Sequence, residues 1–363
     1  VLLTLLAGIT VAAFFATRAL AQGNEAARRR QAAAWFDAAQ QASQAGNEER
    51  AVAGLRHAVS EDPENRTYRL ALAQALAASR RNEEATRVLL ALRETQPDDP
   101  DTNLQLARLE ARGPHKDAAR RYYQNALAGL WRAGQTEERR RVRIEFIDFL
   151  LAQQERARAL SELLALSANL PPDSALHTRV GAMSLSAGDP RLALDHFSRA
   201  IDLDSKNERA LAGAGEAAFQ LADYSRALRY LSAAPKDEAR LAELREVARL
   251  VLQGDPLAAR LRANERRRRL SAALQQAAQR LEGCSNLPPG SANASLEPLR
   301  NELEEFQSER GMAREGRDSR DAIDEGVDLA YRIERAAAES CQLPPAPLDR
   351  ALLLIGRRHG FGE

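Results

Sequence analysis

An alanine recurs at a fixed spacing through the first two thirds of the chain: Ala51, Ala85, Ala119, Ala159, Ala193 and Ala227. The steps are 34, 34, 40, 34 and 34 residues. Four residues after each alanine stands a larger apolar residue: Leu55, Leu89, Tyr123, Leu163, Phe197 and Leu231. Three further on come Ala58, Leu92, Ala126, Leu166, Ala200 and Ala234. Spacings of four and three put all three positions on one face of a helix. A second series lies upstream in each unit: Ala38-Ala39, Leu72-Ala73, Leu106-Ala107, Phe146-Ile147, Val180-Gly181 and Ala214-Gly215. Each unit is therefore a helix, a turn and a second helix, and its small residues let the two helices approach closely. No such pair can bury its own apolar face, so the units must stack.

Pro63, Pro97 and Pro171 close three of the units at one offset, where proline suits the start of the next helix. The 34-residue period with these residues resembles the tetratricopeptide repeat, whose unit carries a W-x2-L-G-x2-Y, A-x3-F and P pattern. Trp35 falls on the tryptophan position of the first unit. The tyrosine position departs from the pattern, holding Ala42, Leu76, Glu110, Leu150, Ser184 and Ala218. The resemblance covers about residues 32–241 in six units. It implies an all-α, right-handed α-solenoid with a concave groove lined by the first helices.

Carried over position by position, the groove holds Phe36, Gln40 and Gln44, then Leu70 and Gln74, then Leu104, Arg108 and Arg112. It continues through Arg141, Ile144 and Asp148, then Thr178, and ends with Arg209, Glu216 and Phe219. None of these is Lys or Asn, so the family's capture of a peptide C-terminal carboxylate does not transfer. The 40-residue step marks an insertion between Leu127 and Arg140, where the sequence predicts an extended second helix over 120–132. Tyr122, Tyr123 and Trp131 make this the most aromatic part of the array. Tyr123 reads as core; Tyr122 and Trp131 read either as cover for a longer hairpin or as an exposed recognition patch.

Composition bounds the partners. Lys and Arg total 52 against 51 Asp and Glu, for a formal net charge of +1, which gives no reason to expect nucleic acid. Only three cations are lysine (Lys116, Lys206, Lys236). Strand formers are scarce and helix formers fill the chain. Residues 1–17 carry no charge before Arg18. As a helix they would span about 25 Å, at the short limit for a hydrocarbon core. They read as a single-pass membrane anchor over 1–21 or as a signal peptide cut after Ala21. The basic flank of Arg18 and Arg28–Arg30 argues for a cytoplasmic body, whereas the cysteines argue for a periplasmic one.

Beyond the array, residues 242–363 form a helical cap. The sequence predicts a long helix over 257–282, then helices near 295–309, 318–340 and 348–358, broken by two Leu-Pro-Pro steps. Arg266–Arg269 reads as a solvated face or as a site for phosphate or anionic lipid. Cys284 and Cys341 each end a helix. If the three helices run up, down and up, both cysteines lie at one end, and either a disulfide or two unpaired thiols result. Two thiols without a nearby histidine make a poor zinc site.

Five histidines (His57, His115, His177, His196, His359) are scattered along the chain without a pairing motif, and no phosphate loop or nucleophile elbow is present. The sequence thus points to a non-enzymatic protein with no cofactor and no small-molecule substrate. Its expected role is a membrane-anchored scaffold for peptide or protein partners in a bacterial envelope. An escort for maturing or secreted proteins, or a plain spacer, are the alternatives.

Overall fold

The computed structural model describes residues 2–285, 293–308, 320–341 and 344–361. Helices account for nearly all of them, and no strand occurs among the described residues. The chain divides into two compact units, 1–162 and 163–363.

The first unit runs through α1 (Leu2–Gln44), α2 (Glu48–Glu61), α3 (Arg66–Ala78), α4 (Asn82–Thr95), α5 (Pro100–Arg112), α6 (Lys116–Ala128) and α7 (Thr136–Ala152). α8 (Arg156–Ser167) carries the boundary within it. Antiparallel pairs form between α1 and α2, α3 and α4, and α5 and α6. Their core collects Ala51, Leu55, Leu72, Leu76, Ala85, Leu89 and Leu106. The second unit continues with α9 (Ser174–Ala187), α10 (Pro190–Leu203), α11 (Glu208–Gln220), α12 (Tyr224–Ala233) and α13 (Ala239–Gly254). It ends with α14 (Ala263–Ser285), α15 (Asn293–Gln307), α16 (Arg320–Ser340) and α17 (Pro347–Arg358). Both are stacks of repeat hairpins, so the chain is an all-helical repeat solenoid. All six period alanines are completely buried, and the residues four and seven positions after them are buried as well.

Two turn chemistries alternate. Between the helices of a hairpin, the chain turns on a left-handed residue: Gly46, Arg80, Gln154, Gly188 and Ala222. In each, the next amide donates back to the carbonyl five residues earlier, as in Asn47 to Ala42, Arg81 to Leu76 and Asp223 to Ala218. This is the Schellman closure of a helix C-terminus. Three of the five are not glycine, and each bears roughly 1–2 kcal/mol of left-handed strain. The third hairpin departs, because Pro114 cannot take that conformation and Gly113 is extended there. Between hairpins, an Asn or Asp side chain caps the next helix: Asn65, Asp99, Asp173 and Asn207 accept from backbone amides of α3, α5, α9 and α11.

The insertion does not lengthen the second helix over 120–132, as the sequence suggested. α6 stops at Ala128 because Gly129 is extended. A Cβ at Gly129 would sit 2.6 Å from the Asp98 carbonyl, and Leu130 donates its amide to that same oxygen at 3.2 Å. The chain is pinned there, so the extra residues go into the 129–135 turn and into α7, which has 17 residues against 13 in α5.

In the second unit, the array passes into a bundle with its own core, including Val251, Leu274, Leu281, Ile333, Ala337 and Ile355. The expected helix over 257–282 starts later, at Ala263. Asp255 accepts from the Leu257 amide, and Arg269 reaches back to the Leu252 and Asp255 carbonyls, which fold 255–262 into a turn. Cys284 and Cys341 are joined by a disulfide with Cα atoms 5.7 Å apart.

α1 is unbroken from Leu2 to Gln44. Among the described residues no helix is long and apolar enough to cross a membrane. The expected anchor falls mostly on residues whose side chains lie outside the described set.

Candidate functional site

A large cleft lies in the second unit, where α9 and α11 run side by side with the start of α13. It encloses about 920 Å³. Its walls carry Thr178 and Arg179 from α9, Glu208, Arg209 and Glu216 from α11, and Glu238 and Arg240 at the start of α13. Ala182, Leu185, Ala212 and Pro235 supply apolar surface.

Glycine and one aromatic ring set the floor. Phe197 on α10 wedges its ring between α9 and α11. A Cβ on Gly213 would come within 2.3 Å of that ring, and one on Gly181 within 2.8 Å. Only glycine lets both first helices close over the phenyl group. Small residues along the adjoining turns, Ala182 and Ala212, then leave the cleft open above the ring. Asn207 fixes the entrance of α11, donating to Ser174 Oγ at 2.8 Å and Thr178 Oγ1 at 3.0 Å while it caps Ala210.

The charges are mixed and partly satisfied. Arg240 pairs with Glu216 at 2.8 Å across the cleft. Arg209 is exposed at the wall and pairs with no acidic side chain among the described residues. The cleft can therefore hold an extended chain by apolar contact below and by charged or hydrogen-bonding groups of both signs at its edges.

Of the positions expected to line a groove, Thr178, Arg209 and Glu216 meet in this cleft. Phe219 does not: it packs into the apolar cores of the second unit, edge-on to Tyr224 at 5.4 Å. In the first unit Gln40 and Gln74 come together in a smaller cleft of about 310 Å³ with Ser43 and Glu48. Phe36 is half-buried against Tyr68, with ring centroids 4.9 Å apart. Leu104 and Ile144 are buried, so they belong to packing. Gln44, Arg112 and Asp148 are exposed, and Arg141 pairs with Glu137 and Glu138 on its own helix.

Arg108 is engaged within the first unit. The sequence offered it as a groove cation, yet it forms a two-pronged pair with Glu145, at 2.8 and 2.7 Å. Tyr123 donates its hydroxyl to the same carboxylate at 2.9 Å. Burial pushes the Glu145 pKa up, but the bonds from Arg108 and Tyr123 outweigh it and hold the carboxyl below its ordinary value. Burial and the adjacent carboxylate push the Tyr123 hydroxyl upward, so it stays a donor. This triad bridges α5, α6 and α7 and is structural.

Tyr122 and Trp131 lie against the same hairpin. Tyr122 is half-buried, packs against the first unit's core and lies under the Arg93 guanidinium at 5.5 Å. Trp131 is half-buried and donates its indole N–H to the Ala126 carbonyl at 2.9 Å. Both aromatics cover the hairpin, and the exposed residue of the turn is Leu130. In the Arg266–Arg269 run, Arg268 and Arg269 pair with Glu265 and Arg267 donates to Asn264, whereas the Arg266 Nε is buried without a hydrogen-bond partner.

The sequence reading missed one histidine cluster. His177 on α9 and His196 on α10 are buried with Nδ1 atoms 3.0 Å apart, and His196 Nε2 lies 2.7 Å from Ser167 Oγ. Ser167 gives its own proton to the Leu163 carbonyl. The network therefore assigns a proton to His196 Nε2 and leaves its Nδ1 to accept from His177. Spaced 19 residues apart on different helices, the pair follows no linear motif. Among the described residues no group of three or more His, Cys, Asp or Glu could hold a metal ion.

The match to a repeat family agrees with this architecture. The tetratricopeptide repeat model matches residues 42–109 and 184–253. No curated protein is similar enough in sequence to match. Among solved structures, YrrB, described as a TPR protein with an unusual peptide-binding site, is 19% identical with a TM-score of 0.37, covering 54% of this chain and 95% of that one. PilW, a type IV pilus biogenesis factor, is 17% identical with a TM-score of 0.40, covering 55% and 90%. PilF of Pseudomonas aeruginosa is 19% identical with a TM-score of 0.34, covering 78% and 99%. The matched repeats fall on α2–α5 and on α10–α13, and over those residues the chain carries tetratricopeptide repeats.

Proposed function

We propose that this protein is a protein–protein interaction scaffold whose second unit holds an extended peptide segment of a partner in the α9–α11 cleft. The observation that carries the reading is the cleft itself: about 920 Å³, with an apolar floor and edges of both charge signs. Such a site suits a chain that alternates small apolar and charged residues, with affinity spread over several contacts. The test is a displayed peptide library screened against the whole chain, followed by calorimetry with the enriched peptides. Ala212→Trp, which fills the cleft, should abolish binding, and Arg209→Glu should shift selection away from acidic peptides. Binding that survives both changes would leave the cleft without a role. A screen that enriches no peptide at all would favour the spacer reading.

The setting is a second part of the proposal. The Cys284–Cys341 disulfide supports an oxidising compartment, hence the periplasmic side of an envelope, with the uncharged stretch ahead of Arg18 as tether. Fractionation of cells expressing the full chain, combined with protease access from the periplasm, tests it. Recovery in the soluble cytoplasm with free thiols would refute it.

A further inference from the structure

α14 and α16 run parallel. Leu270 lies against Gly326 near their starts, and Cys284 is bonded to Cys341 where they end. One turn before Cys284 stands Arg280, and two turns before Cys341 stands Glu334. α17 adds Asp349 to the same place. All three are buried, with side chains 8%, 1% and 3% exposed. Arg280 is shared: it lies 4.0 Å from Glu334 and 3.7 Å from Asp349.

The two acids are served unequally. Asp349 accepts from Gln276 Nε2 and from the Ala346 amide, each at 2.8 Å. Glu334 has only the distant arginine, and its Oε1 is buried without a hydrogen-bond partner. Arg280 from α14 and Asp349 from α17 are the charged groups that bear on it. On its own helix Arg335 pairs outward with Glu339. With both carboxylates ionised the cluster would hold two negative charges against one positive, inside an apolar core. Burial, followed by the charge on Asp349, pushes the Glu334 pKa to about 8.

We infer that the C-terminal bundle is a latch closed at one interface by two devices, the Cys284–Cys341 bond and a protonated Glu334, so that reduction and deprotonation favour the same parting of α14 from α16. Both cysteines are buried in the bundle core, so a reductant reaches the bond only when the helices part. In the parted state Glu334 regains water and its ordinary acidity. The proton therefore favours the closed form wherever the pH lies between the ordinary carboxyl value and about 8. Opening grows about tenfold per pH unit through that window and levels above it.

The test is the rate of disulfide reduction in the full chain by a phosphine, measured from pH 5.5 to 9. Each rate is divided by that of an unstructured disulfide peptide in the same buffer. The normalised rate should rise about a hundredfold between pH 5.5 and 7.5 and then flatten. Glu334→Gln keeps the shape without the titration and should give a flat, slow profile. An equal slope in wild type and Glu334→Gln, or a flat wild type, overturns the proposal. Should Glu334→Gln not fold, hydrogen exchange of the α16 amides in the oxidised wild type decides. Corrected for intrinsic chemistry, it should accelerate over the same window, and a pH-independent rate refutes the latch.

Discussion

His177 and His196 face each other nitrogen to nitrogen, 3.0 Å apart, in the buried seam between α9 and α10. One proton fits between them, and a second would set two donors against each other. Burial first, then the charge that would arise on His177, lowers the His196 pKa to about 4; burial lowers that of His177 as well. In the unfolded chain both titrate near 6.5. The unfolded state therefore binds more protons between those values, and stability falls as pH drops from about 6.5 to about 4. For His196 the loss is about 3 kcal/mol. Hydrogen exchange of the α9 and α10 amides at pH 7 and pH 4.5 should show it. His196→Gln should remove most of that pH dependence while lowering stability at neutral pH.

The Phe197 ring fills space that only glycine leaves free. Gly213→Ala should destabilise the second unit by about 1–3 kcal/mol, because the ring must leave its rotamer or α11 must shift. Gly181→Ala should act in the same direction with a smaller effect, since its Cβ would stand 2.8 Å from the ring against 2.3 Å at Gly213. Adding Phe197→Leu to Gly213→Ala should recover part of the loss. A strictly additive double mutant in urea unfolding would show that the ring and the glycine are not in contention.

Arg108 and Glu145 form a pair that one substitution breaks and a swap restores. Arg108→Glu should cost about 1–2 kcal/mol, by setting a second carboxylate beside Glu145. Arg108→Glu with Glu145→Arg should return most of it. Thermal unfolding followed through the α5–α7 region checks both. A loss of partner binding in Arg108→Glu would therefore report damage to the first unit before it reported on a groove.

Left-handed turns offer a contrast of sign. Ala222→Gly should leave stability unchanged or raise it by up to about 1 kcal/mol, because relief of left-handed strain exceeds or matches the added chain entropy. Gly188→Ala should lower it by about 1 kcal/mol, since its φ is 88°. Melting temperatures of the two variants should move apart.

Much of this fold can be read from the alanine period, because helix packing demands small residues at one fixed spacing and every one of the six is buried. The C-terminal bundle was legible as helices and breaks, but α14 was placed too early, since the turn before it depends on Arg269 reaching back to Leu252. Two local signals were present and unused: the Asx caps at Asn65, Asp99, Asp173 and Asn207, and the turn residues at Arg80, Gln154 and Ala222. Expected groove positions meet in clefts on α9 and α11 and, as Gln40 and Gln74, on α1 and α3. Arg108 could not be placed from its own position, because Glu145, 37 residues on, decides what it faces. Buried pairs such as His177 with His196 share this property: each half is ordinary alone.

The alternation of turns also says where the chain can change length. Five hairpin turns share one geometry, in which a single residue crosses to the left-handed side and the following amide closes the helix behind it. An added residue there would break that closure and rotate the second helix away from its seam. The joints between hairpins lack that left-handed closure, and the 40-residue step of the array is taken up at one of them, in the 129–135 turn and in α7. A tag, a protease site or a whole inserted module should therefore be accepted at the exposed Ala133–Gly134, past the pinned Leu130 amide, and refused next to Arg80 or Ala222. The repeat is rigid within its period and adjustable between periods.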